Sequence, residues 1–161
     1  MRLGHPTAER VADPRPLALR SHRMADESTR RNLVMILARD LTSRLVTPCF
    51  VVDADGTLAF FNQAAETVLG RTYAESGELQ AGEWASEWAP TDLDGNPVPL
   101  EELPLGIAFR EGRAAHRALC ITAVDGIARE IEVTAFPLCA RQGHVEGAIA
   151  VFWERAGRPS D

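Results

Sequence analysis

Two runs of β-favouring residues, Cys49-Phe50-Val51-Val52 and Leu58-Ala59-Phe60-Phe61, lie on either side of Asp53-Ala54-Asp55-Gly56. Asp-Gly between apolar runs marks a tight hairpin, because Gly supplies the positive φ that such turns require. Asn62 follows the second run directly and opens an alanine-rich stretch that Gly70 closes. An Asn in that place accepts a backbone N–H bond in the first turn of a helix, so the spacing predicts a helix over 62–69. A strand–turn–strand–helix unit this short leaves few folds open to the rest of the chain.

Downstream, residues 115–124 and 127–136 flank Asp125-Gly126 and predict a second hairpin, and 144–153 read as a nearly continuous apolar strand. Between the β-rich ends, Thr72 to Phe109 holds no basic residue and collects Glu75, Glu78, Glu83, Glu87, Asp92, Asp94, Glu101 and Glu102. Trp84 and Trp88, four apart, fall on one helical face. Residues 101–111 predict a further helix, with acids at its start, Gly112 after its end and Pro104 tolerable only near its first turn. Upstream, 28–46 predict an amphipathic helix on which Val34, Leu37, Leu41 and Leu45 form an apolar stripe, widened by Leu33, Met35 and Ile36. Two partners suit that stripe: the domain's own sheet, or a second copy of the helix in a dimer. Pro48 ends the helix.

The bulk properties exclude several classes. A net charge of −6 argues against nucleic-acid binding, which rewards a basic surface. All seventeen basic residues are Arg, a usage that reads as codon bias in a GC-rich genome. Cys49, Cys120 and Cys139 are odd in number, widely spaced and without a C-x-x-C pair, which fits a reducing cytoplasm. No apolar run approaches a membrane span, and the start of the chain lacks a secretory signal. The expected organisation is a disordered tail over 1–25, the amphipathic helix over 26–47, one domain over 48–154 and a short tail over 155–161. Met24 reads as a natural start, so the stretch before it is expected to be a gene-start artefact or, as the alternative, a basic arm for a partner or membrane surface.

Asp94-Gly95-Asn96-Pro97, Glu102-Leu103-Pro104-Leu105-Gly106, Arg110-Glu111-Gly112-Arg113, Val133-Thr134-Ala135-Phe136-Pro137-Leu138 and Gly147-Ala148-Ile149-Ala150-Val151-Phe152-Trp153-Glu154 follow the opening unit in order. From Leu45 to Glu154 this arrangement resembles a PAS domain, in a form common among actinobacterial signalling proteins. The resemblance implies an α+β fold: a five-stranded antiparallel sheet with short helices on one face, preceded by the amphipathic helix. It also implies a sensory role, associated in the family with gene regulation, in which a small molecule binds between sheet and helices or a partner binds the outer sheet face. With no output domain in this sequence, the message is expected to pass non-covalently to a signalling protein in trans.

The light-oxygen-voltage subgroup needs a Gly-x-Asn-Cys-Arg-Phe-Leu-Gln stretch that this chain lacks. Haem sensors usually offer a His from the helix before the third strand; 101–111 has none, which leaves His116 as the alternative ligand. Neither flavin nor haem is therefore expected as a cofactor, and no metal. A calcium site from Asp92, Asp94 and Asn96 lacks the further ligands of an EF-hand loop. A two-residue turn at Asp125-Gly126 pairs Cys120 with Ile131, Ala118 with Val133 and His116 with Ala135. One face then carries His116, Ala118, Cys120 and Thr122 opposite Ile131, Val133 and Ala135. These residues are small enough to open a ligand pocket against Phe109, or simply to accommodate that ring. The other face sets Arg117, Leu119 and Ile121 against Glu130, Glu132 and Thr134, a surface for a partner; a one-residue slip exchanges the two. No G-x-S-x-G or H-E-x-x-H motif appears, so no enzyme is expected. The leading expectation is a stand-alone sensory module, dimeric through Val34, Leu37, Leu41 and Leu45. The alternatives are a constitutive dimerisation scaffold without ligand and, ranked last, a haem- or flavin-binding sensor.

Overall fold

The computed structural model describes residue 29 and residues 32–139 and 143–155. The tail expected over 1–25 and the segment after residue 155 lie outside the described residues. Five strands, β1 (Cys49–Asp53), β2 (Leu58–Phe61), β3 (Ala115–Thr122), β4 (Ala128–Cys139) and β5 (Val145–Glu154), form one sheet in the order β2-β1-β5-β4-β3. Every neighbouring pair is antiparallel. The last strand thus sits at the centre, between the two hairpins.

Both hairpins use the same turn. Gly56 donates to the Asp53 carbonyl at 3.1 Å while Asp53 donates to that of Thr57 at 3.0 Å. Gly126 donates to Ala123 at 2.8 Å while Ala123 donates to Ile127 at 3.0 Å. The Asp92–Asn96 loop repeats the pattern, at 3.1 and 2.9 Å. Gly56, Gly95 and Gly126 hold φ of 80°, 87° and 80°. Each loop is a type I turn closed by a left-handed Gly, which makes three residues rather than two.

That extra residue moves the second hairpin by one register step. His116 stands opposite Thr134, Leu119 opposite Ile131 and Thr122 opposite Ala128. The two faces anticipated for β3 are therefore exchanged relative to β4.

On one side of the sheet lie α2 (Gln63–Leu69), α3 (Tyr73–Ser76), α4 (Ala81–Trp88) and α5 (Pro104–Glu111). Asn62 caps α2 by accepting from Ala65 N, and Gly70 ends it in the left-handed conformation. The helix expected over 101–111 is divided. Glu101 and Glu102 belong to a 3-10 turn over Leu100–Glu102, and α5 starts at Pro104, where a missing N–H costs nothing. A Cβ on Gly106 would lie 2.0 Å from the Leu100 carbonyl oxygen, so the junction closes only on glycine. Val52, Leu58, Phe61, Leu69, Trp84 and Phe152 belong to the main core between sheet and helices.

The leading helix, α1 (residues 32–43), lies on the opposite face. Ala38 is buried there against Val51 and Ile149, with Met35, Phe60, Leu138 and Val151 around them. The guanidinium of Arg39 lies 5.3 Å from the Phe60 ring centroid, a cation–π contact. The predicted stripe does not make this contact: Leu37 and Leu41 are both 59% exposed, Leu45 is exposed and Val34 half-buried. A narrow face of smaller residues holds α1 to the sheet.

Candidate functional site

A cavity of about 60 Å³ lies between the inner sheet face and the helices. Phe50, Leu119, Ile121, Ile131, Val133, Ala150 and Phe152 form its sheet side. Trp84 and Trp88 of α4, with Pro90 and Leu103-Pro104-Leu105, form the other. The geometry follows from alternation along the strands, which sends every second side chain inward. The aromatic rings interlock: Phe50 lies 5.4 Å from Trp88 and 5.0 Å from Phe152, centroid to centroid. Trp84 is anchored by an indole N–H donated to Gly56 O at 3.4 Å, which ties α4 to the first turn. The Trp88 indole N–H is buried and finds no acceptor among the described residues, an arrangement that costs about 1–3 kcal/mol.

Of the eight residues expected in a pocket, Ile131 and Val133 line the cavity. Ala135 is buried in the adjoining core, and Phe109 packs against that core from α5 without reaching the cavity wall. His116, Ala118, Cys120 and Thr122 are on the far side of the sheet, because the three-residue turn reversed the β3 faces. In their place Leu119 and Ile121, expected outside, point inward. On the outer face His116 Nε2 lies 3.1 Å from Glu132 Oε2 and Nδ1 lies 2.8 Å from Thr134 Oγ1, with the ring stacked on Trp153. Also missed as cavity lining were Phe50, Trp84, Trp88, Pro90, Leu103, Pro104, Leu105, Ala150 and Phe152. Inward alternation on β1 and β5 was the available signal for Phe50, Ala150 and Phe152, and the shared helical face for the two tryptophans; no local signal points Pro90, or residues 103–105 at the entry to α5, at the cavity.

Among the described residues no Cys or His side chain reaches the cavity wall. Cys49 is buried on the outer face, Cys120 lies beside Glu130 on that same face, and Cys139 is exposed at the end of β4. The lining thus offers neither a thiol for a flavin adduct nor an imidazole for haem iron. In the Asp92–Asn96 loop, the Asp92 carboxylate is engaged within its own turn. It accepts from Asn96 N at 2.8 Å, Asp94 N at 3.0 Å and the Asn96 amide. These bonds, the Asn96 side chain first, pull its pKa below the ordinary carboxylate value. Among the described residues no three His, Cys, Asp or Glu side chains converge, and no helix is long and apolar enough to cross a membrane.

A family model described as the PAS fold matches residues 43–158. No curated protein matches the sequence significantly. Among solved structures, the PAS domain of Bordetella pertussis BvgS is 16% identical with a TM-score of 0.51, over 77% of this chain and 87% of that one. The Rhodobacter sphaeroides LOV protein is 13% identical with a TM-score of 0.61, over 76% and 68% respectively. The PAS domain of nitrogen regulation protein NR(II) from Vibrio parahaemolyticus is 14% identical with a TM-score of 0.52, over 74% and 98%. Identities this low speak for the fold alone. The sheet order, the helical layer and a family match over most of the sequence agree, and the chain belongs to the PAS fold family.

Proposed function

We propose that this PAS-fold sensory module takes a small, neutral, apolar ligand in its cavity and signals by non-covalent contact, as a dimer through α1 and to a protein partner in trans. One observation carries the reading: the space between sheet and helices is lined by apolar and aromatic side chains, two of them tryptophans on a single helix. Such a wall carries no charged side chain to offset the desolvation of an ionised metabolite. Its size points the same way. An engineered cavity of ~150 Å³ holds benzene, so about 60 Å³ suits an occupant of a few heavy atoms unless the wall opens. A lining without Cys or His supports a reading without flavin-adduct or haem chemistry, and the role involves no catalysis.

Native mass spectrometry of freshly purified protein, with xenon as an apolar probe followed by methyl NMR, tests this. Expected are a dissociable extra mass, or selective xenon shifts at the methyls of Leu103, Leu119, Ile131 and Val133. A clean polypeptide mass together with xenon-insensitive methyls would overturn it in favour of a constitutive scaffold.

A further inference from the structure

Asn62 is 1% exposed and its side chain engages five backbone groups. Its Oδ1 accepts from Cys49 N and Ala65 N, each at 3.0 Å, which fixes the start of β1 and the first turn of α2. Its Nδ2 donates toward the carbonyls of Thr42 at 3.0 Å, Leu45 at 3.1 Å and Thr47 at 2.9 Å. Two hydrogens thus serve three acceptors, all at the end of α1 or in the linker after it, where helical partners run out. Donors on one side and carbonyls on the other define which end of the amide is oxygen.

The rest of the α1 attachment is slight. Among the described residues it consists of buried Ala38 and Thr42, half-buried Val34 and Met35, and the contacts of Arg39 with the Phe60 and Tyr73 rings, while Leu37 and Leu41 face away from the sheet. A segment with few buried apolar contacts opens at low cost unless something specific holds it. Asn62 is that specific hold, and it sits one residue from Phe61. The Phe61 ring stands edge-on to Trp88 and Phe50, both cavity walls, at 6.3 and 6.0 Å.

We propose that Asn62 is the latch of α1: its amide decides whether helix and linker stay docked on the outer sheet face, while the sheet domain remains folded either way. The latch goes beyond the cavity reading and is tested without ligand, so each stands or falls separately.

The experiment is hydrogen exchange of the full chain, resolved by segment, in Asn62→Asp and Asn62→Ser. Asp retains an acceptor for Cys49 N and Ala65 N but turns its second oxygen on three carbonyls. Ser remains a good helix cap and is too short to span to the linker. The expected result is exchange about tenfold faster or more over 32–47, with β4 and β5 still protected. Unchanged exchange over 32–47, or acceleration spread evenly over helix and strands in both variants, would overturn the latch. If the Asp variant does not fold, the Ser variant decides alone.

Discussion

Cys49 opens β1 with its thiol buried, donating to the Thr47 carbonyl at 3.1 Å. Burial pushes its pKa up from the ordinary 9.0 to about 11, because a thiolate there would lose its hydration. Between those values the unfolded chain has released a proton that the folded chain keeps, so rising pH favours unfolding. Stability is thus expected to be complete below pH 9 and to decline toward pH 11. Urea denaturation across that range should show a shallower decline in Cys49→Ala. Some slope should persist from Tyr73, whose pKa burial also raises and whose hydroxyl donates to Ala59 O at 2.6 Å. Gly106 makes a different demand. With the Leu100 oxygen 2.0 Å from any Cβ, Gly106→Ala should cost about 3 kcal/mol or more, since backbone rather than a flexible side chain must yield. Gly126 has open space around it and a φ of +80°, so Gly126→Ala should cost only about 1–2 kcal/mol of backbone strain. Denaturant midpoints of the two variants rank these causes; equal losses would refute the packing argument at Gly106.

Strands and helices were legible because their signals are local. Asn62 before an alanine run, Gly70 after it, and Asp-Gly between apolar runs each act within a few residues. The register of β3 on β4 was not, because Asp-Gly serves both two- and three-residue loops. In the first turn the longer loop has a visible cause. Asp53 Oδ1 accepts from Asp55 N at 2.9 Å and Thr57 N at 3.0 Å, favouring the type I geometry. Ala123 has no such side chain. The choice there falls to Asp125, which accepts from Ile127 N at 2.9 Å and pairs with Arg129 at 2.8 Å. One residue in a loop thus decided which of two hydrophobic sets met the cavity. Pro104 had similar force: naming the first helical turn at 104 would have moved Glu101 and Glu102 out of the helix. The cavity itself was only partly readable, since nearly half its wall comes from α4, Pro90 and the start of α5.

Helices α2 to α5 cover the inner face of the sheet, and α1 covers part of the outer one, over Val51, Phe60 and Ile149. The outward leucines of α1 leave an apolar ridge, and dimerisation through it is the expectation argued above. Leu37→Glu with Leu41→Glu should leave the protomer itself folded, as circular dichroism would check, because both side chains are exposed on the single chain and neither packs on the sheet. In light scattering the double variant should read as a monomer and the original chain as a dimer; identical masses would refute the ridge as the contact. The sheet margins carry a further consequence. Leu79 exchanges two backbone bonds with Leu58 on β2, at 2.7 and 3.3 Å, and Thr91 does the same with Cys120 on β3, at 2.8 and 2.9 Å. Short stretches of the molecule's own chain thereby occupy the places where a foreign strand would begin to add on. Growth in the plane of the sheet is checked at both rims, and recognition is steered toward side chains instead of ladder bonds.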